Sequence, residues 1–183
     1  MRIIAGEARG RQLVSPKGLK TRPTLDRVKE SLFGIIQFDL YGTRFLDLFS
    51  GSGGIGLEAL SRGAAFCTFV DSDQETAACV RKNIDLCGFK NRSSLRVEDF
   101  SSALVALHHM RLDFDIIFLD PPYKSGFYEM VTSLLISYKL LREGGTVIAE
   151  HLYARPPKVD PSLTLFDTRK YGDVGISFYR EGL

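Results

Sequence analysis

Along most of this chain, short apolar runs alternate with stretches in which apolar residues recur at the spacing of a helix. The runs have the length of buried strands, and the stretches between them repeat apolar residues every three or four positions, as amphipathic helices do. The predicted strands are Arg44–Phe49, Phe66–Val70, Leu95–Val97, Phe114–Leu119 and Thr146–Glu150. The predicted helices are Gly54–Arg62, the segment from an N-cap at Asp73 to Cys87, Phe100–His109 and Gly126–Tyr138. Such alternation predicts a doubly wound α/β fold whose sheet is mostly parallel and covered on both faces.

Both ends of the chain depart from this alternation. Near the carboxyl terminus, Leu163–Thr168 and Val174–Arg180 follow each other with no helical stretch between them. They predict an antiparallel pair at the edge of the sheet, preceded by a turn at residues 140–145. At the amino terminus, Arg2–Ala5 and Arg11–Val14 predict a short β-hairpin.

A helix is predicted after this hairpin, from Pro23 with Thr24 as N-cap to about Phe38. The sequence is therefore divided into an N-terminal extension at residues 1–40 and a main domain at residues 41–183. The length of 183 residues favours one domain with a small appendage.

Charge is distributed unevenly between these two parts. Residues 1–30 hold eight Lys or Arg against three Asp or Glu, a net charge of +5, whereas the rest of the chain carries −3. A basic arm on a mildly acidic body predicts a polyanionic partner at one end of the molecule.

Other compositional features narrow the class of protein. No run approaches the roughly 20 apolar residues of a membrane span, and the first residues do not form a signal peptide. The three cysteines, Cys67, Cys79 and Cys87, are odd in number and lack metal-ligand spacing, which is typical of reduced thiols in a cytoplasmic protein. The three histidines also lack such spacing, so no metal site is predicted.

A glycine-rich turn lies between the first strand and the first helix of the main domain. Gly51-x-Gly53-x-x-Gly56 lets the backbone approach a ligand closely, and Asp71 ends the next strand 20 residues after Gly51, where a carboxylate accepts from ribose hydroxyls. This spacing predicts a nucleoside-containing cofactor. The predicted binding residues around the turn are Phe49, Ser50, Gly51, Ser52, Gly53, Gly56, Asp71 and Ser72.

Asp47 separates two cofactor classes. It lies within the strand ahead of the glycines, where a carboxylate would attract the amino group of S-adenosylmethionine and repel a pyrophosphate. Hydrogen bonds to loop amides are the alternative role for this side chain. After the third strand, Asp99 is predicted to accept from an adenine amine, to cap the following helix, or both, and Phe100 to pack near the ring.

Asp120-Pro121-Pro122-Tyr123 follows the fourth strand and is the predicted catalytic segment. Neither proline has an N–H group to continue a ladder, so the loop is stiff and extended. Asp120 and the carbonyl of Pro121 would accept from both N–H bonds of an aryl amine and direct its lone pair at a methyl group. Tyr123 would stack on the base.

Together these residues resemble the RsmD-type bacterial small-subunit ribosomal RNA guanine-N2 methyltransferases. The similar segments include Arg22-Pro23-Thr24, Leu46-Asp47-Leu48-Phe49, Gly56-Leu57-Glu58-Ala59, Phe118–Tyr123 and Tyr171-Gly172-Asp173. The resemblance implies a Rossmann-like class I methyltransferase sheet of seven strands with a reversed last strand. It also implies S-adenosylmethionine as cofactor and methylation of a guanine N2 amine late in small-subunit assembly.

The resemblance further implies that the N-terminal extension helps to bind 16S ribosomal RNA, within the small subunit or its assembly intermediate. The predicted RNA-binding residues are Arg9, Arg11, Arg22, Thr24 and Arg27. Phosphate contacts from such residues give salt-dependent binding with little sequence preference. We expect a cytoplasmic monomer.

Three alternatives stay open from the residues. An adenine-N6 or cytosine-N4 amino-methyltransferase acting on DNA or RNA would use the same catalytic segment. A nicotinamide-dependent oxidoreductase would explain the glycines and Asp71, but it would explain neither Asp47 nor the prolines. A non-catalytic RNA-binding assembly factor would need decay of the cofactor site, and every predicted position is filled.

Overall fold

The computed structural model describes residues 1–16, 23–121 and 127–182. Its helices are α1 (Pro23–Ile36), α2 (Gly54–Ser61), α3 (Gln74–Cys87), α4 (Phe100–His109) and α5 (Phe127–Ser137). Its strands are β1 (Arg44–Asp47), β2 (Phe66–Asp71), β3 (Ser93–Val97), β4 (Phe114–Leu119), β5 (Leu141–Leu152), β6 (Leu163–Tyr171) and β7 (Val174–Glu181). A 3₁₀ turn at Lys90–Arg92 leads into β3.

All seven of these strands join one sheet in the order β3-β2-β1-β4-β5-β7-β6. The pairs from β3 to β5 are parallel, and β7 runs antiparallel to both of its neighbours, β5 and β6. The predicted doubly wound sheet with an antiparallel C-terminal pair is thereby confirmed. The strand order reverses between β1 and β4, which is where open α/β sheets bind ligands, at the carboxyl ends of the strands.

The turn predicted at residues 140–145 is instead part of β5. Leu141 pairs with Phe114, and the next registered pair is Thr146 with Ile116, so the intervening residues form a bulge. Arg142 stabilises this irregularity, since its guanidinium donates to Asp113 at 2.9 Å and to Asp115 at 3.0 Å. Glycines at 144 and 145 fit the bulge because the backbone can bend there without leaving the sheet.

The predicted N-terminal hairpin is present but shorter than the sequence suggested. Only Arg2 and Gln12 form a β-bridge, flanked by backbone hydrogen bonds such as Gly10 N–H to Ile3 carbonyl at 2.9 Å. Gly6 and Gly10 both have positive φ, +84° and +81°, so the chain turns twice between the two arms. These turns leave little extended backbone for a ladder.

Each face of the sheet is covered by its own hydrophobic cluster. The N-terminal hairpin, α1, α2 and α3 pack on the face that carries Phe45, Phe69, Ile116, Phe118 and Ile148. The other face carries Leu46, Ile117 and Leu119 and is covered by α4 and α5. Ile3, Leu32 and Phe33 of the extension are fully buried in the first cluster, so the extension and the main domain share one core. Among the described residues, none of the helices combines the length and apolar character needed to span a bilayer.

Candidate active site

Two adjoining cavities open at the carboxyl edge of the sheet, next to the reversal between β1 and β4. One has a volume of about 610 Å³ and lies over the ends of β2 and β3. The other, of about 270 Å³, lies under the N-terminal extension. Both are lined by Phe49, Gly51 and Asp120, so they form one continuous site at the position predicted from the topology.

Asp47 lies at the floor of the smaller cavity and is 1% exposed. Its Oδ2 accepts from the backbone N–H of Gly56 at 3.0 Å, and it forms no salt bridge with a described residue. Burial raises the pKa of Asp47 to about 7, and the charges of Asp120 and Asp71 act in the same direction. One carboxylate oxygen is thus held by a backbone amide in the first turn of α2, and the other can accept from a ligand.

The glycine turn has the geometry that its spacing predicts. Gly51 and Gly53 have φ values of +52° and +81°, in the left-handed region that favours glycine. A Cβ on Gly56 would lie 2.3 Å from Phe69 and 2.6 Å from the Cys67 sulfur, so a glycine is needed there for α2 to approach the sheet.

Ser50 supplies an unsatisfied polar atom beside this turn. Its hydroxyl is buried without a hydrogen-bond partner among the described residues, and the residue lines the smaller cavity. Buried polar groups are normally paired, so the lone hydroxyl fits a polar ligand. With Asp47 it forms a donor and acceptor set that suits the amino-acid end of S-adenosylmethionine.

Asp71 fixes the turn from the neighbouring strand. Its Oδ2 accepts from Gly51 N–H at 2.7 Å, and its Oδ1 accepts from Asp73 N–H and Thr76 Oγ1, both at 2.9 Å. Asp71 and the exposed Ser72 line the larger cavity. Asp71 therefore orients the glycine backbone as well as presenting a carboxylate to the site.

Asp99 is the N-cap of α4, which was one of the two roles predicted for it. Its carboxylate accepts from the backbone N–H groups and hydroxyls of Ser101 and Ser102. Hydrogen bonds from these hydroxyls lower the pKa of Asp99 to about 2. Asp99 also lines the larger cavity, where it stays ionised and able to accept.

Three phenylalanines form one wall of the larger cavity. The ring centroids of Phe49 and Phe100 are 5.6 Å apart, and those of Phe100 and Phe127 are also 5.6 Å apart. Phe49 and Phe100 are among the residues predicted to bind cofactor. Phe127, at the start of α5, is an addition that the sequence did not distinguish from a core residue. Such a wall suits an aromatic base.

Asp120 ends β4 where the two cavities meet, and Pro121 behind it is buried. Burial raises the pKa of Asp120 above that of an ordinary carboxyl. The rest of the predicted catalytic segment, Pro122 and Tyr123, lies outside the described residues.

Glu150 is a site residue that sequence reasoning missed. It lies near the carboxyl end of β5, is 8% exposed, and lines the smaller cavity with Asp47 and Asp120. Burial raises the pKa of Glu150, and the charge of Asp120 raises it further. Only its position at the end of an apolar strand, where ligands bind in such sheets, could have marked it.

The N-terminal hairpin is tied to the cofactor turn by two buried polar side chains that the sequence also did not reveal. Glu58 on α2 is fully buried and accepts from the N–H groups of Ile4 at 2.8 Å and Ala5 at 2.9 Å. Asn83 on α3 bonds both the N–H and the carbonyl of Val14 and donates to the Ser52 carbonyl at 2.9 Å. The extension is thereby held against the elements that carry the glycine turn.

Three of the five predicted RNA-binding residues have described side chains. Arg9 and Arg11 are exposed on the hairpin, and Arg27 is exposed on α1. The side chain of Thr24, and the whole of Arg22, fall outside the described residues. Within the described ranges, no group of His, Cys, Asp and Glu has the arrangement of a metal site.

Known proteins share both the sequence and the fold of this chain. The model of the family described as Conserved hypothetical protein 95 matches residues 1–180. A Bacillus subtilis relative named "Putative rRNA methyltransferase YlbH" is 38% identical over 182 residues, covering 99% of each chain. The Haemophilus influenzae "Ribosomal RNA small subunit methyltransferase D" is 32% identical over 98% of this chain and 93% of its own.

Solved structures extend the likeness to three dimensions. The Escherichia coli structure named "Putative methyltransferase yhhF" has a TM-score of 0.85 and 29% identity, covering 100% of this chain and 99% of the other. The structure titled "Crystal structure of SMU.776, a putative methyltransferase complexed with SAH" has a TM-score of 0.72 at 18% identity, covering 87% of this chain and 50% of the other, which shows a shared fold.

Proposed function

The chain belongs to the family described as Conserved hypothetical protein 95, and on that premise we propose that it methylates ribosomal RNA. In this proposal the methyl group passes from S-adenosylmethionine to the exocyclic N2 amine of a guanine in 16S ribosomal RNA. The names of its relatives in Haemophilus influenzae and Escherichia coli, which specify the small ribosomal subunit, support the choice of RNA.

One observation carries the proposal: three carboxylates, the buried Asp47 and Glu150 and the half-buried Asp120, line one cavity without a salt-bridge partner among the described residues. Lys29 also lines this cavity, but its ammonium is committed to Glu58 at 3.1 Å and to the Arg2 carbonyl at 2.8 Å. Uncompensated buried carboxylates are unfavourable, so the site fits ligands that bring positive charge and N–H donors.

The cofactor-binding part of the proposal assigns each residue one contact. S-adenosylmethionine, when bound, supplies an electrophilic methyl group on a positively charged sulfur. Asp47 and Ser50 hold the amino-acid end, and Asp71 with Ser72 accepts from the ribose hydroxyls. Asp99 and Phe100 bind adenine, with Phe49 and Phe127 completing the wall. The turn residues Gly51, Ser52, Gly53 and Gly56 give close backbone approach.

The catalytic part of the proposal is positioning with electrostatic stabilisation. Asp120 and the Pro121 carbonyl accept from the two N–H bonds of the target amine, which turns its lone pair away from the ring and toward the methyl group. The ionised Asp120 also stabilises the positive charge that develops on nitrogen. Stacking of Tyr123 on the flipped base is also part of this proposal, and Pro122 is assigned to the same catalytic segment.

The RNA-binding part rests on the basic extension. Arg9, Arg11, Arg22 and Arg27 contact phosphates, and Thr24 borders the site at the start of α1. The substrate is the small subunit or its assembly intermediate, and the protein acts as a monomer. Because bacterial subunits are assembled in the cytoplasm, the proposal places the enzyme there.

A methyl-transfer assay with nucleoside mapping tests this function. Wild-type protein, radiolabelled cofactor and undermethylated small-subunit particles should give N2-methylguanosine in 16S RNA. Asp120→Ala should bind cofactor in calorimetry about as well as wild type, yet transfer methyl groups about 100- to 1,000-fold more slowly. The matched control is Asp39→Ala, which removes a carboxylate that is 66% exposed.

Each other outcome of this assay has a definite meaning. Label on an adenine N6 or cytosine N4 amine would show that the protein is the alternative amino-methyltransferase and does not act on guanine. Label in no RNA, naked or assembled, would overturn the proposed function. Wild-type turnover in Asp120→Ala would remove Asp120 from the chemistry.

A further inference from the structure

The sheet register brings Glu150 beside Asp120. Strands β4 and β5 are parallel neighbours, and their last registered pair is Leu119 with Ala149. Asp120 and Glu150 are the next residues on the two strands. Opposite residues of neighbouring strands face the same side of the sheet, and the strands lie about 4.8 Å apart. Both side chains line the smaller cavity, so they present two acceptors side by side.

The backbone of Glu150 is anchored by a side chain of α5. The Tyr128 hydroxyl donates to the main-chain carbonyl of Glu150, which anchors this end of β5. The carboxylate itself forms no hydrogen bond or salt bridge with a described residue, although the residue is 8% exposed. The carboxylate therefore faces the cavity as an acceptor that can receive a donor from a ligand.

The groups around Glu150 make an N–H donor the fitting ligand. Besides Glu150, the described lining residues with charged side chains are Asp47, Asp120 and Lys29, and Met1, whose amino group forms no salt bridge with a described residue, also lines the cavity. Lys29 is engaged by Glu58, and the two aspartates are carboxylates that cannot donate when ionised. If Asp120 accepts from the target amine, Glu150 beside it can accept from a second donor on the same edge of the base.

We propose that Glu150 determines base specificity by accepting from the N1–H group of the target guanine while Asp120 accepts from its N2 amine. This inference rests on the proposed function. On the Watson–Crick edge of guanine the N1–H and N2 donors are adjacent, so two neighbouring carboxylates match them. Adenine has its amine beside the N1 lone pair, and cytosine has its amine beside the N3 lone pair. Either lone pair would face the Glu150 carboxylate and be repelled.

The proposed role requires Glu150 to be ionised when guanine is bound. Burial and the charge of Asp120 raise the pKa of Glu150, whereas a hydrogen bond donated to a carboxylate lowers it. Arrival of the guanine N1–H group therefore favours the carboxylate form. Arrival of adenine or cytosine would not.

Single-turnover methylation of base-substituted particles tests the proposal. The particles contain 16S RNA with guanine or 2-aminopurine at the mapped target, since 2-aminopurine keeps the N2 amine but lacks the N1–H group. Glu150→Ala should slow methylation of guanine by about 10- to 100-fold, the usual effect of one hydrogen bond to a charged group. It should raise the rate on 2-aminopurine, because the N1 lone pair of that base no longer faces a carboxylate, so the preference for guanine falls by more than the loss on guanine alone.

Controls separate this role from general damage. Glu143→Ala changes an exposed glutamate on the same strand and should keep the wild-type preference. If Glu150→Ala fails to fold, Glu150→Gln keeps the side-chain volume and one acceptor oxygen, and should show a smaller fall in preference. If wild type does not detectably methylate 2-aminopurine, inhibition is compared between RNAs carrying inosine, which has N1–H, and purine, which lacks it. Wild type should be inhibited more by inosine, and Glu150→Ala equally by both.

Two failures are distinguishable. Equal losses on guanine and 2-aminopurine, or an unchanged inosine preference in Glu150→Ala, would overturn the specificity role while leaving the methyltransferase proposal intact. Absence of guanine methylation by the wild-type protein would overturn the proposed function itself.

Discussion

Glu58 and Lys29 form a salt bridge in the core, with Oε2 and Nζ 3.1 Å apart and side chains 0% and 2% exposed. Lys29 lies on α1 and Glu58 on α2, immediately behind the glycine turn. Glu58 also receives the N–H groups of Ile4 and Ala5. One carboxylate therefore joins the hairpin and the helix of the extension to α2, the helix that follows the glycine turn.

Replacement of Glu58 by Ala should be strongly destabilising. It leaves the Lys29 ammonium and two backbone donors buried without their acceptor, and breaking a buried ion pair costs about 3–5 kcal/mol. Urea unfolding followed by circular dichroism measures the loss. The control is Glu7→Ala, whose side chain is 58% exposed and pairs with Arg92 at the surface; it should cost less than about 1 kcal/mol. A loss for Glu58→Ala no greater than for Glu7→Ala would contradict this account.

Gly6 and Gly10 offer a matched pair of substitutions in the hairpin. Both have positive φ, but a Cβ on Gly6 would lie 1.8 Å from the Ser61 carbonyl oxygen, whereas nothing lies within 4 Å of a Cβ on Gly10. Gly10→Ala should cost about 1 kcal/mol from backbone strain alone. Gly6→Ala should cost about 1–3 kcal/mol more from overpacking, or release the hairpin, because the clash is with backbone that cannot move aside.

Limited proteolysis with thermal unfolding checks the glycine prediction. Gly6→Ala should be cleaved in the first 16 residues at protease levels that spare Gly10→Ala. Equal protease resistance and equal melting temperatures would show that the hairpin does not depend on its close approach to α2.

The local sequence predicted the bounds of a helix or strand well where a single strong signal, such as a helix cap or a short apolar run, sets them. Phe100–His109 and Phe114–Leu119 lie at the predicted bounds, because Asp99 caps the helix and a short apolar run defines the strand. The bulge in β5 was predicted as a turn because Gly144-Gly145 favours both, and only pairing with β4 decides between them. Tertiary pairing of that kind is not encoded in a local window.

The arrangement around the glycine turn was predictable from the sequence, whereas the Glu150 side of the same cavity was not. Asp47, the glycine turn and Asp71 follow one another at fixed spacing, so sequence distance alone brings them together. Glu58, Asn83 and Glu150 are ordinary polar residues by sequence. Their importance comes from burial and from partners 30 to 70 positions away, which the fold has to supply.

Cofactor affinity should depend on pH through Asp47. Burial raises the pKa of Asp47 to about 7, and the proposed contact with a cationic amino group needs the ionised form. Below that pH, binding must release the proton, so the dissociation constant should rise toward about tenfold per pH unit as pH falls. Above about pH 7 this dependence should level off. Asp47→Asn should bind more weakly and lose this dependence.

Calorimetry in buffers of different ionisation enthalpy measures the released proton directly. Wild type should release up to one proton per S-adenosylhomocysteine bound at pH 6, and close to none at pH 8.5. A pH-independent wild-type affinity, or the same proton release in Asp47→Asn, would place the linkage on another group.

Arg9 and Arg11 should contribute to RNA binding through phosphate contacts. Both are exposed on the hairpin, and each phosphate neutralised adds about 0.7 to 0.9 to the slope of log affinity against log salt. Arg9→Gln with Arg11→Gln should therefore reduce the magnitude of that slope by roughly 1.5. Filter binding of 16S RNA in roughly 50–300 mM KCl measures this slope. Arg111→Gln, an exposed arginine after α4 on the other face of the sheet, is the control and should keep the wild-type slope. An unchanged slope in the double variant would mean that the hairpin contacts something other than RNA phosphate.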